Sequence, residues 1–148
     1  MTKKIYSTFA MLGLFLVLAV GSIQAQSEGS LEVNIRFDFQ VGSKVLPAGE
    51  YTVRRLSQNS MIVESADGSE RVIAQVPGRV ERGRKTDREK LVFHQYGDQY
   101  FLAQIWMVRD GDGRELTKSK AEREASKAQT LARGDEKPRT VEITASAH

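Results

Sequence analysis

Few side chains in this sequence are of the types that do chemistry, and their spacing narrows the field further. His94 is the one histidine within the body of the chain, because the other, His148, is the last residue. As a general base it would need a nucleophile and an orienting acid brought in by the fold. A zinc site would need partners at metal spacing, yet the chain has no cysteine and no pair of neighbouring histidines. Set between Phe93 and Gln95, His94 reads first as a residue that fills a sheet face and hydrogen-bonds locally, with a hydrolase built around it as the alternative.

Two charged clusters come next. Asp110-Gly111-Asp112-Gly113-Arg114-Glu115 resembles part of a calcium loop, with Asp110, Asp112 and Glu115 as candidate ligands. Calcium takes about six to eight oxygens, and alternating acids in a glycine-rich turn supply several of them. The full twelve-residue pattern is missing and Arg114 sits inside the cluster, so an ordinary Asp-Gly turn is favoured. The stretch from Arg79 to Lys90 holds Arg79, Arg82, Arg84, Lys85, Arg88 and Lys90 against Glu81, Asp87 and Glu89. Arginines in such a loop can grip the phosphate or carboxylate groups of a polymer or a lipid headgroup. No aromatic residues are interleaved for base stacking, and a solvated connecting loop is favoured. There is no P-loop, no dinucleotide-binding glycine pattern and no serine nucleophile elbow. No cofactor is expected, and an enzyme is the minority reading.

The elements that would position these residues begin after a leader. Lys3 and Lys4 precede a charge-free apolar run from Phe9 to Val20, followed by Gly21-Ser22-Ile23-Gln24-Ala25. That order is the basic head, apolar stretch and small-residue cleavage site of a secretory signal peptide over residues 1–25. The run is short of the about 20 apolar residues that cross a membrane, and an uncleaved anchor starting near Ile5 is the alternative. Cleavage leaves 123 of the 148 residues and removes two lysines and no acid, lowering the formal charge from +3 to +1. A chain of that size forms one domain that needs no disulfide. Export without cysteine fits a periplasmic or extracellular location, and a near-balanced charge argues against a nucleic-acid partner.

Past residue 26 the patterning is that of strands. Leu31, Val33, Ile35, Phe37, Phe39 and Val41 alternate with polar residues, which predicts a strand with one buried face. Leu46-Pro47-Ala48-Gly49 suits a type I turn. Tyr51–Leu56, Met61–Ala66 and Arg71–Val76 read as further strands, with Asp67-Gly68 joining the last two. A hairpin turning at Gly97-Asp98 places Tyr96 opposite Gln99, Phe93 opposite Leu102 and Val92 opposite Ala103. One of its faces then carries Leu91, Phe93, Tyr100, Leu102 and Trp106; the other carries Val92, His94, Phe101, Ala103, Ile105 and Met107. Both faces are apolar, so both should be covered.

The second cover is expected from a charged helix over about 117–133, capped by Thr117 or Ser119. Its ion pairs would be Lys118 with Glu122 and Lys120 with Glu124. Leu116, Ala121, Ala125, Ala128 and Leu131 would form its packing stripe, the alternative being a partly disordered tail. A last strand is expected over about 140–145.

Two stretches also carry a resemblance. Phe37-Asp38-Phe39-Gln40-Val41-Gly42-Ser43-Lys44 with Leu46-Pro47-Ala48-Gly49-Glu50-Tyr51-Thr52-Val53 is one. Leu91-Val92-Phe93-His94-Gln95-Tyr96-Gly97-Asp98 with Tyr100-Phe101-Leu102 and Gly113-Arg114-Glu115-Leu116 is the other. Together they resemble a group of small exported proteins of soil bacteria, acidobacteria especially. The resemblance implies a signal peptide followed by a compact β domain, and it brings no catalytic or binding residues with it.

The expected fold is all-β: an antiparallel sandwich or small barrel of about seven strands with one charged C-terminal helix. The expected role is a non-catalytic binding or structural module of the cell envelope. An envelope protein or a second copy would dock on an apolar sheet face that the helix covers incompletely, with Tyr100 and Trp106 as contact residues. The alternatives are a barrel-type carrier of a small apolar ligand and a hydrolase using His94.

Overall fold

The computed structural model describes residues 29–80, 88–107, 113–134 and 137–145. The expected signal peptide lies outside them. Among the described residues the chain forms eleven strands and one helix: an antiparallel sandwich of two sheets, with the helix on the outside.

The first sheet has four strands in the order β1 (Ser30–Ile35), β4 (Gly49–Ser57), β5 (Ser60–Ser65), β6 (Arg71–Gln75). The second runs β11 (Arg139–Thr144), β8 (Lys90–Tyr96), β9 (Gln99–Trp106), β10 (Gly113–Glu115), β7 (Gly78–Val80). β2 (Phe39–Val41) joins β9 in parallel at Gln40 and Phe101, and carries β3 (Lys44–Leu46) beside it. About seven strands were expected from the sequence. The excess comes from β2, β3, β7 and β10, each three residues long and too short to display an alternation of its own.

The single strand expected from Leu31 to Val41 is in fact two. The chain leaves the first sheet after Ile35 and re-enters structure in the second sheet at Phe39. Both pieces bury the same parity of residues because both face the one core between the sheets. Asp38 in the corner accepts a hydrogen bond from the Ala48 amide at 2.9 Å, and Tyr51 Oη donates to the Pro47 carbonyl at 2.7 Å. These bonds tie the corner to the predicted Pro47 turn. Gly42, at φ +62°, opens the two-residue loop between β2 and β3, a left-handed position that a hairpin turn of this length requires.

Between the sheets Phe39, Tyr51 and Phe93 pack edge to face at 5.1 and 5.5 Å, each at most 2% exposed. The interior is filled by side chains, as a sandwich requires and an open barrel does not.

The β8–β9 hairpin turns at Gly97-Asp98, with Tyr96 opposite Gln99 and Phe93 opposite Leu102 as expected. Beyond that point the register shifts: Val92 lies opposite Gln104, not Ala103. Ala103 is the extra residue of a β-bulge, which exchanges the faces of everything after it. Ile105 and Met107 therefore join the core, while Trp106 moves to the outer face beside Lys90. Tyr100 stays inside, stacked on Phe37 at 4.0 Å. The expectation that Tyr100 and Trp106 share one face is overturned by this bulge.

The outer face of the hairpin is also buried, at Val92, Tyr96, Phe101 and Ala103. Here lies α1 (Lys120–Arg133), capped by Ser119, whose hydroxyl accepts the Glu122 amide at 3.1 Å. The packing stripe differs from the expected one. Leu116 is buried ahead of the helix, Leu131 is 89% exposed and Ala128 is exposed. The residue turned most fully inward is Glu122, at 4% exposure. It does not pair with Lys118, whereas Lys120 and Glu124 do approach to 3.9 Å.

Candidate functional site

The helix is fastened to the sheet by a polar clasp. Glu122 Oε1 receives His94 Nδ1 at 2.8 Å and the Tyr96 hydroxyl at 3.4 Å. His94 and Tyr96 stand two residues apart on β8 and so project from the same outer face. The carboxylate partner assigns the proton to Nδ1. A carboxylate this deeply buried is tolerated only when hydrogen-bonded, and the histidine supplies the strong bond.

A histidine oriented by a carboxylate is two-thirds of a nucleophilic triad. Among the described residues, however, no serine or threonine hydroxyl is hydrogen-bonded to the ring, which stands beside Tyr96 and opposite Phe101 and Thr140 of the flanking strands. What the arrangement does is hold the start of α1 against β8.

Past the clasp the helix stands away from the sheet. Ala121 and Ala125 are half-buried and Ala128 and Ala132 are exposed, so cover thins toward the C-terminal end. The space opened is a groove of about 690 Å³, walled by those four alanines on one side and by Tyr96, Gln99 and Gln40 on the other. At its far end, past the Gly97-Asp98 turn, it runs into a second cleft of about 490 Å³. Arg133, Lys137 and Arg139 line that cleft together with Gln95 and Gln129.

The sequence-predicted residues fall elsewhere. Trp106 lies on the outer face, its Nε1 donating to Gln104 at 3.1 Å and its ring 5.8 Å from the Lys90 ammonium. Arg79 is on β7 and Arg88 just before β8, both exposed. Arg82, Arg84 and Lys85 lie outside the described residues, as do Asp110 and Asp112. Glu115 is exposed on β10, and no group of three or more metal-ligating side chains is gathered among the described residues.

Residues that the sequence reading missed are Glu122 and the three cations of the cleft. One signal for the first was available: Ser119-Lys120-Ala121-Glu122 has the spacing of a capping box, which fixes Glu122 in the first turn. Arg133, Lys137 and Arg139 lie within seven residues of one another with Asp135 and Glu136 between them, a mixed-charge run that marks no site by itself.

Comparison with protein-family models, with curated proteins and with solved structures finds no match.

Proposed function

We propose that this chain is an exported, non-catalytic binding module of the bacterial cell envelope, and that the groove between α1 and the β8–β9 hairpin is its working surface. The reading rests on one observation: a helix pinned at its first turn by Glu122 and standing off the sheet beyond it. An alanine wall lets another chain approach closely without first displacing large side chains. Packing of Phe39, Tyr51, Phe93 and their neighbours between the sheets supports the module over the barrel-type carrier of a small apolar ligand. Export rests on the leader pattern of residues 1–25. Among the described residues no helix is long and apolar enough to cross a membrane.

The test is native mass spectrometry on protein recovered from the periplasm, comparing the wild type with Ala128→Trp. Filling the groove should remove a bound partner seen on the wild type while leaving the melting temperature unchanged. A partner retained equally by both proteins would place the working surface elsewhere.

A further inference from the structure

Three polar side chains are buried among the described residues: Ser60, Glu122 and Arg114. Two of them are satisfied. Ser60 shares a hydrogen bond with the Ser57 hydroxyl, and Glu122 accepts from His94 and Tyr96. Arg114, at 8% exposure, makes no side-chain hydrogen bond and no ion pair among the described residues. An exposed cation without a carboxylate is ordinary, because water solvates it. A buried guanidinium is different. It keeps its proton, and its five N–H donors need acceptors wherever it sits. An uncompensated charge in the interior is among the most destabilising features a fold can hold.

The strand pattern fixes where this side chain goes. On β10, Arg114 stands opposite Ile105 of β9, and Leu116 follows two residues later. Ile105 and Leu116 both belong to the core between the sheets, so Arg114 projects from the same inner face. Glu115 projects from the other face, against Gly78, and does not serve it. On its second side Arg114 faces Arg79 of β7, the edge strand of the sheet. Arg79 is exposed and has a contact of its own; Arg114 is enclosed and has none among the described residues. Like charges directly opposite across two strands repel, and an anion between them relieves both. We propose that Arg114 is the anchor of an oxyanion site. A small ligand enters at the β7 edge past Arg79 and sets a carboxylate or phosphoryl group on the Arg114 guanidinium. Either group presents two oxygens at the spacing that the guanidinium fork takes as a bidentate pair. A flat membrane or protein surface does not reach a side chain this enclosed, so the ligand is a small molecule. The site lies on β7 and β10, apart from the groove, which is walled by α1 and the β8–β9 hairpin.

The test uses the full exported chain in Tris chloride buffer at constant ionic strength. Inorganic phosphate and, separately, malonate are titrated in by calorimetry, and at least one should bind. Arg114→Met keeps the bulk and removes the charge; it should weaken that binding about tenfold or more, the worth of one charge-assisted pair. Arg114→Lys keeps the charge without the fork and should also bind less tightly than the wild type. Without ligand, Arg114→Met should melt no lower than the wild type, because it removes an unpaired buried charge. Binding of phosphate alone assigns a phosphoryl ligand, and binding of malonate alone a carboxylate one. Binding of neither overturns the proposal, as does equal binding by wild type and Arg114→Met. A clearly lower melting temperature of Arg114→Met without ligand also overturns it. An acceptor within the chain would then already serve the guanidinium, such as Glu81, Asp110 or Asp112, which lie outside the described residues.

Discussion

The two faces of the β8–β9 hairpin are covered by different means. On the inner face, Leu91, Phe93 and Ile105 are fully excluded from water and meet the first sheet through large apolar side chains. On the outer face, α1 contributes alanines and a carboxylate, and its attachment is the His94–Glu122 bond with Tyr96 in support. Burial of large side chains is non-directional and sums with area, so the inner interface supplies the stability of the sandwich. A single buried polar pair adds little net stability but fixes where the helix sits, since any other position strands the carboxylate. The difference teaches that cover and cohesion have separate sources in this molecule. The helix can stand open along its second half without weakening the core.

That contrast breaks most severely at the inner face. Phe93→Ala should cost about 3–5 kcal/mol, the usual loss for a buried phenylalanine, and a denaturant melt should show both sheets unfolding together. His94→Ala acts on the outer face. Breaking a buried pair from one side costs about 3–5 kcal/mol, but here α1 can undock and rehydrate Glu122 for less. The loss should stay below that ceiling and appear as reduced helical ellipticity with the sheet signal intact. The double replacement His94→Phe/Glu122→Leu sharpens the point. It should restore the melting temperature, because an apolar pair carries no desolvation penalty.

A smaller effect is expected at Gly113. A Cβ there would lie 2.6 Å from the Trp106 ring, so Gly113→Ala must push the indole outward. The cost should be about 1–3 kcal/mol, the usual range for overpacking, because the clash falls on the body of a partly buried indole that is held by its bond to Gln104. As the chain's one tryptophan, it reports the shift directly in its emission maximum.

The smallest effect is on the loop between β5 and β6. Asp67 accepts the Ser65 hydroxyl and the Ser69 amide and hydroxyl, which hold its carboxyl down at about 2. A folded-state value below the unfolded one gives stability that is present above about pH 4 and lost as pH falls toward 2. Any gap in melting temperature between wild type and Asp67→Asn should therefore close over that interval.

How much of this was legible in the sequence follows from the same physics. Strands of five or more residues with one apolar parity, such as β1, announce themselves. The switch of sheets at Arg36–Asp38 does not, because the alternation from Leu31 to Val41 continues unbroken through the corner. The bulge at Ala103 is hidden for a related reason: from Phe101 to Met107 both parities are apolar, so neither register is penalised by the pattern. Glu122 reads as one more surface acid on a charged helix until β8 places His94 beneath it. Local pattern encodes which residues are buried, whereas the clasp is a product of topology.

Native-state hydrogen exchange resolved by residue tests the separation of cover from cohesion most directly. The amides of α1 should exchange through an opening of their own, faster than those of β8 and β9, and should exchange faster still in His94→Ala with the strands unchanged. Equal protection of α1 and β8, lost together in the variant, would contradict it: the helix would then be part of the core, and the groove beside it only a crease in its surface.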